Sequence, residues 1–320
     1  MAEKIWERFP GLKVLVLGDF MLDRYLHGQV SRISPEAPVP VLMEDRSYDQ
    51  PGGAANVAGN LAALGAEVHV LGMVGADREG ETLRELLRRQ GVRVEGLQVL
   101  PRWQTILKTR IIAGSQHVVR VDREAPVPPS AQIQQEVLEY MQSVDPPQAV
   151  IFQDYNKGFL NRELIGKVLN WCREHKVFTG VDPKFENFFH FHGVDLFKPN
   201  AKEAREALGT TLDAPDDLEQ LGAALHARLE FRQMVITQGA RGMTIFRGAE
   251  PGKHIPTSAG QVVDVSGAGD TVIASLVLAL LAGADLEYAA RFANTCAGLV
   301  CRELGAVPVN LDLVREVWDG

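Results

Sequence analysis

The segment DVSGAGDTVIASLVLALLAG, residues 264–283, sets two glycines and an acid directly against an apolar run. The run from Val272 to Ala282 reads as a buried helix, and Asp270 stands where that helix begins. Glycine lets backbone N–H groups approach a ligand closely, and the unpaired amides of a first turn carry the positive end of the helix dipole. Together these features make an anion site. The competing reading is a tight turn with Asp270 as an ordinary N-cap.

Outward from this segment, strand-like runs alternate with helical patterns. VLVLGD (14–19), EVHVLGMVG (67–75), AVIFQDY (149–155), VFTGVDPK (177–184), DLFKPN (195–200) and QMVITQG (233–239) are the strand candidates. Between them, TLRELLRRQG places Leu83, Leu86 and Leu87 on one face and stops at Gly91. NRELIGKVLNWCREH offers Asn161 as N-cap and buries Leu164, Ile165, Val168 and Leu169. Such alternation predicts a mainly parallel sheet covered by helices. Two stretches break the pattern. Residues 28–50 are proline-bearing and extended, and residues 103–124 alternate like a hairpin turning at Ala113-Gly114-Ser115. Both read as strands of a small separate sheet, placed to cover a cleft or to pair with another subunit.

A chain of 320 residues can bury one large core. Its formal net charge of −8, with no basic run, argues against a nucleic-acid surface. Cys172, Cys296 and Cys301 follow no disulfide or zinc spacing, so a reducing cytoplasm is expected. The N-terminal residues lack the apolar core of a signal peptide, and the longest apolar run is too short to span a bilayer.

Familiar phosphate loops do not fit. GAEPGKH (248–254) is one residue short of a Walker A loop and ends in His254. Where a dinucleotide fingerprint would follow the first strand, the chain has GDFMLD, with acids replacing glycines. His190 and His192 lack the carboxylate or thiolate company of a metal site and receive no role.

Four segments converge instead: GDFMLD (18–23), PGGAANVAGNLAALG (51–65), KPNAKEA (198–204) and DVSGAGDT (264–271). In this order and spacing they resemble the ribokinase-like (PfkB) carbohydrate kinases over essentially the full chain. The resemblance implies one three-layer α/β/α domain over 1–320, with a mainly parallel central sheet and lid strands from about 28–50 and 103–124. It implies an ATP- and Mg²⁺-dependent phosphotransferase acting on a sugar hydroxyl, and a homodimer through the lid strands. GDFMLDRYLHGQVSRISPEAPVPV and SQHVVRVDRE are most similar to members that phosphorylate the anomeric hydroxyl of D-glycero-β-D-manno-heptose 7-phosphate. In some bacteria such kinases are fused to a nucleotidyltransferase domain; here the kinase alone is expected.

The residue roles follow from the same resemblance. Asp270 is the candidate base, with the amides of Gly267, Ala268 and Gly269 holding the transferred phosphoryl group. Asn200 and Glu203 match a magnesium and phosphate site working through water, against the alternative of a helix capping box. Asp23, Gly52, Gly53 and Asn56 match positions that recognise sugar hydroxyls, while Asp19 is equally readable as structural. Thr237, Gly239, Gly242 and Asn294 match nucleotide contacts. For an acceptor phosphate the basic candidates are Lys157, Lys184 and Arg120, each with a surface ion pair as its alternative. A kinase of the same fold for another sugar, sugar phosphate or nucleoside is the alternative within the family, and a sugar-nucleotide-binding regulatory protein is the non-catalytic alternative, although a pure binder needs no base.

Overall fold

The computed structural model describes residues 4–114, 116–124, 128–210, 217–258, 260 and 262–318. The run VLVLG becomes β1 (Lys13–Gly18), which divides the molecule. Val14 and Val16 enter one apolar cluster, while Leu15 and Leu17 enter another. A strand apolar on both faces has to be covered twice, which dictates three layers.

From β1 the chain runs through β2 (Phe20–Ile33), β3 (Pro40–Gly53), α1 (Ala54–Ala63), β4 (Glu67–Gly75), α2 (Arg78–Arg89), β5 (Leu97–Leu100), β6 (Ile106–Ala113), β7 (Gln116–Arg123) and α3 (Ala131–Ser143). It continues through β8 (Ala149–Gln153), α4 (Arg162–His175), β9 (Phe178–Asp182), β10 (Leu196–Phe197), α5 (Ala201–Leu208) and α6 (Asp217–Leu229). Last come β11 (Gln233–Thr237), β12 (Met243–Arg247), β13 (Lys253–Ile255), α7 (Ala268–Leu281), α8 (Leu286–Val300) and α9 (Leu311–Val317).

The large sheet has the order β13-β12-β11-β10-β9-β8-β1-β4-β5. Its strands are parallel from β5 to β11, and only β12 runs the other way, antiparallel to both β11 and β13. Helices α1, α2, α7, α8 and α9 pack on one face, and α3 to α6 on the other. Each of the six strand candidates forms a strand; β5, β12 and β13, short or at the sheet's edges, carry too little pattern to be singled out. Asn161 caps α4 by accepting the Leu164 N–H at 2.9 Å, and Leu164, Ile165, Val168 and Leu169 are buried.

The small sheet has the order β3-β2-β6-β7. It starts at Phe20 rather than near 28, because β2 leaves β1 after a single residue, Asp19, and its first residues are already buried. Gly114 turns the β6–β7 hairpin with φ 59°, and Ser115 lies outside the described residues. Val30, Ile33, Val39, Met43, Val118, Val119 and Val121 leave this sheet with exposed apolar surface. All three cysteines are buried and free. Among the described residues no helix is long and apolar enough to cross a membrane.

Candidate active site

Parallel strands deliver polar residues where they end. Asp19 follows β1, Gln153 ends β8, Asp182 ends β9, Lys198 follows β10 and Thr237 ends β11. This carboxyl edge is where open α/β sheets bind ligands. The first turn of α7 comes down onto it, because Asn56 and Gln153 both reach Asp270.

Asp270 does not cap its helix. Gly267 is the N-cap residue and α7 has no side-chain cap, so the buried Asp270 carboxylate is free to turn into the site. Its Oδ2 accepts from Asn56 Nδ2 at 2.8 Å, and its Oδ1 accepts from Tyr155 Oη at 2.7 Å and Gln153 Nε2 at 3.1 Å. Burial raises its pKa to about 6, against the Asn56 and Tyr155 hydrogen bonds that favour the charged form. Asp182 pushes it further up and Lys198 pulls it down. A carboxylate tuned this way is ionised near neutrality yet basic enough to take a proton.

Gly267 is a glycine for two reasons. Its φ is 76°, and a Cβ there would stand 2.5 Å from Asn56 Nδ2. The Ala268 N–H bonds back to Val265 O at 3.2 Å, which leaves the amides of Gly267 and Gly269 without such a backbone partner among the described residues. Asn56, expected on the sugar, spends its amide on Asp270.

Beside Asp270 lies a buried ion pair outside the sequence candidates: Lys198 Nζ is 3.0 Å from Asp182 Oδ2. Gln153 Nε2 joins the same Asp182 oxygen at 3.1 Å. Lys198, Asp182, Gln153 and Tyr155 all sit in the polar tails of strand runs, as FKPN, GVDPK and FQDY, which was the one available signal.

Asn200 and Glu203 form the complete capping box of α5. Asn200 Oδ1 accepts the Glu203 N–H and Glu203 Oε2 accepts the Asn200 N–H, each at 2.8 Å. Glu203 Oε1 also takes Lys184 Nζ. Lys184 therefore stands with Glu203 and over the Tyr155 ring, 5.5 Å from its centroid, and not with the other acceptor candidates. No group of three metal-ligating side chains exists among the described residues. The Glu203 and Asn200 oxygens retain lone pairs, so they fit a magnesium ion only through its water shell.

In the small sheet Asp23 is buried. Gly52 makes room for it: a Cβ there would lie 2.7 Å from Asp23 Oδ2. Gly53 takes φ 58°, and a Cβ would meet Asp19 O at 2.7 Å. Arg110 Nη1 lies 2.8 Å from Asp23 Oδ1, with its guanidinium over Tyr25. Lys157 reaches Glu124 at 2.7 Å, and Lys108 lies 3.4 Å from Asp122. Arg120 is on the outer strand, exposed, and paired with Asp122 at 2.9 Å.

Asp19 is structural in its contacts. It accepts the N–H groups of Tyr155, Lys157 and Phe159 at 2.9, 3.1 and 3.2 Å, which fixes the loop carrying Tyr155 to Asp270. Burial first, then Asp154, raises its pKa to about 6 against those bonds. On the far side, Thr237 bridges to Asn200, and Gly239 and Gly242 turn the chain with φ 60° and 89°. Asn294 Nδ2 donates to Pro256 O, tethering the loop before α7. A cavity of about 920 Å³ lined by Pro146, Cys172, Lys176 and Arg232 opens at the opposite, amino-terminal strand edge and touches none of these residues.

The pattern of the pfkB family carbohydrate kinases matches residues 12–312. "Bifunctional protein HldE" of Magnetococcus marinus is 39% identical over 319 residues, covering 98% of this chain and 66% of its own length. The protein of that name from Nitrosococcus oceani is 40% identical over 310 residues, covering 96% and 64%. The chain thus spans slightly less than two thirds of these curated relatives. Among solved structures, phosphofructokinase-2 from Escherichia coli in complex with potassium superposes with a TM-score of 0.80 at 19% identity, covering 96% of this chain and 98% of that one. Ribokinase from Arabidopsis thaliana, complexed with ribose and ATP, gives 0.75 at 20% identity, covering 95% and 99%. Both show the ribokinase-like fold.

Proposed function

The chain belongs to the pfkB family of carbohydrate kinases, and on that premise we propose that it transfers the γ-phosphoryl group of ATP to a sugar hydroxyl activated by Asp270. The observation carrying this reading is the Asp270 carboxylate itself: buried, set at a helix N-terminus beside two free glycine amides, and held by Asn56, Gln153 and Tyr155 with a pKa of about 6. Phosphoryl transfer asks for positioning, charge stabilisation and one proton acceptor. Asp270 takes the hydroxyl proton, the Gly267 and Gly269 amides meet the phosphoryl oxygens, and Asn56 fixes the base. Magnesium, held through its waters by Glu203 and Asn200, would neutralise phosphate charge when bound.

The acceptor we propose is D-glycero-β-D-manno-heptose 7-phosphate, phosphorylated at its anomeric hydroxyl to the 1,7-bisphosphate. Support comes from the relatives named HldE and from the cleft face of the small sheet. In this reading Asp23 takes sugar hydroxyls, and Lys157, Lys108 and Arg110, now paired with Glu124, Asp122 and Asp23, turn their cations to a phosphate. Thr237, Gly239, Gly242 and Asn294 would border the nucleotide. In this reading the small sheet is the lid of a single kinase domain, its exposed valines pair with those of a second copy, and the enzyme works on cytoplasmic ATP. The test is ADP release with ATP and magnesium against a panel of sugars and sugar phosphates. Heptose 7-phosphate is expected to give the highest kcat/KM; no release above background with any sugar overturns the reading.

A further inference from the structure

Asp19 follows β1 directly and is buried, 2% exposed. Burial and a second buried carboxylate, Asp154, both oppose its charge. A charge kept under those conditions returns little to stability by itself. What it holds gives the reason for it. Its Oδ2 accepts the N–H groups of Tyr155 and Lys157, on either side of Asn156, and its Oδ1 accepts that of Phe159. Asn156 has φ 53°, a left-handed backbone that turns successive N–H groups into an anion-holding concavity. The first residue of that concavity is Tyr155, whose hydroxyl donates to Asp270.

The backbone of Asp19 reaches the other two partners of the base. Its N–H donates to Gln153 O at 3.2 Å, and Gln153 Nε2 donates to Asp270. Its C=O accepts the N–H of Ala54 at 3.0 Å, at the start of α1, and Asn56 in that first turn donates to Asp270. Two glycines leave room for these contacts. A Cβ on Gly18 would collide with Gln153 O, and one on Gly53 would lie 2.7 Å from Asp19 O. Asn56, Gln153 and Tyr155, which come from three separate segments, all lead back to one residue.

We propose that Asp19 is the positioning residue of the base: it sets Tyr155, Gln153 and Asn56 against Asp270 and so fixes the direction and the basicity of that carboxylate. This rests on the kinase reading above. Tyr155 depends on Asp19 through the side chain, Gln153 and Asn56 through the backbone, so a substitution at this position strikes the Tyr155 arm. The Tyr155 hydrogen bond favours ionised Asp270, and weakening it raises the pKa of the base and moves the acid limb of kcat upward. Removing a nearby negative charge would by itself move that limb downward. The direction of the shift therefore separates a lost hold from a lost charge.

The test compares Asp19→Asn, nearly isosteric and uncharged, with Tyr155→Phe and the double variant, measuring ADP release as a function of pH and ATP affinity by calorimetry. Asp19→Asn should move the acid limb upward from about 6 by as much as roughly one to two units. At about pH 6.5 that is a loss of roughly 3- to 25-fold in kcat, which closes in alkali. ATP affinity should stay within about threefold. In the double variant the limb should stand where Tyr155→Phe alone puts it, because no hydroxyl remains to be aimed. Asp19→Ser takes the place of asparagine if the amide, set against three N–H donors, prevents folding. Val168→Ala, a truncation in the buried core of α4, lowers stability without touching the loop and should keep the wild-type limb. A limb that stays or moves down in the folded Asp19 variants, a further rise in the double variant, or an equal rise in Val168→Ala overturns the proposal, while wild-type turnover keeps the kinase reading. A wild-type protein that turns over no sugar overturns both.

Discussion

Tyr155→Phe isolates the tuning of the base. It deletes one oxygen from a buried ring and removes the 2.7 Å hydrogen bond to Asp270 Oδ1, leaving Asn56 and Gln153 in place. A hydrogen bond to a charged group is worth about 1.5–3 kcal/mol, and one pH unit corresponds to about 1.4 kcal/mol. Tyr155 favours the ionised form, so its loss should raise the Asp270 pKa from about 6 by roughly one to two units. The base acts when deprotonated, so activity is retained above this pKa and lost below it. The acid limb of the kcat profile should move from about 6 to roughly 7–8. At pH 6.5 the variant should be slower by about 3- to 25-fold, and near pH 9 the two should converge. The assay is ADP release across pH 5.5–9.5 at saturating substrates. An unmoved acid limb, or a uniform loss at every pH, refutes the argument that Tyr155 tunes Asp270.

Asp270→Asn should lower kcat by about 10²-fold or more with ATP affinity intact by calorimetry, and a variant keeping most of its kcat removes Asp270 as base. Gly267→Ala forces a side chain into φ 76° and against Asn56, so chemical denaturation should show a loss of about 1–3 kcal/mol or more together with lost turnover; wild-type stability contradicts the turn geometry. Lys157→Ala should weaken use of the phosphorylated sugar roughly ten- to a hundredfold and leave the free sugar nearly unchanged, whereas equal wild-type activity on both sugars excludes a phosphate pocket. Light scattering should give a dimer that Val119→Lys dissociates, and a wild-type monomer at assay concentration removes the lid-to-lid pairing.

How much of this was legible in the chain depends on what brings residues together. Asp270 and its glycines are contiguous, so local rules about helix starts suffice to mark them as a candidate anion site. The strands were legible too, because β1 carries four consecutive apolar residues, Val14 to Leu17, and only burial on both faces explains that. Tyr155, Gln153, Asp182 and Lys198 were not marked as a group. Gln153 and Asp182 are 29 residues apart in sequence and become partners only through the β8–β9 register. Lys198 joins them because Phe197, just before it, pairs with Val181, just before Asp182.

The two arginines of the small sheet show the remaining limit. Arg110 and Arg120 are directly paired across β6 and β7, so the same alternation puts both on the same face. Yet β6 lies between β2 and β7, while β7 is the sheet's edge. Inner position brings Arg110 to Asp23 at 2.8 Å, and edge position leaves Arg120 with Asp122 in solvent. Period two reports the face of a strand but not its rank in the sheet, and here rank decides which arginine reaches Asp23.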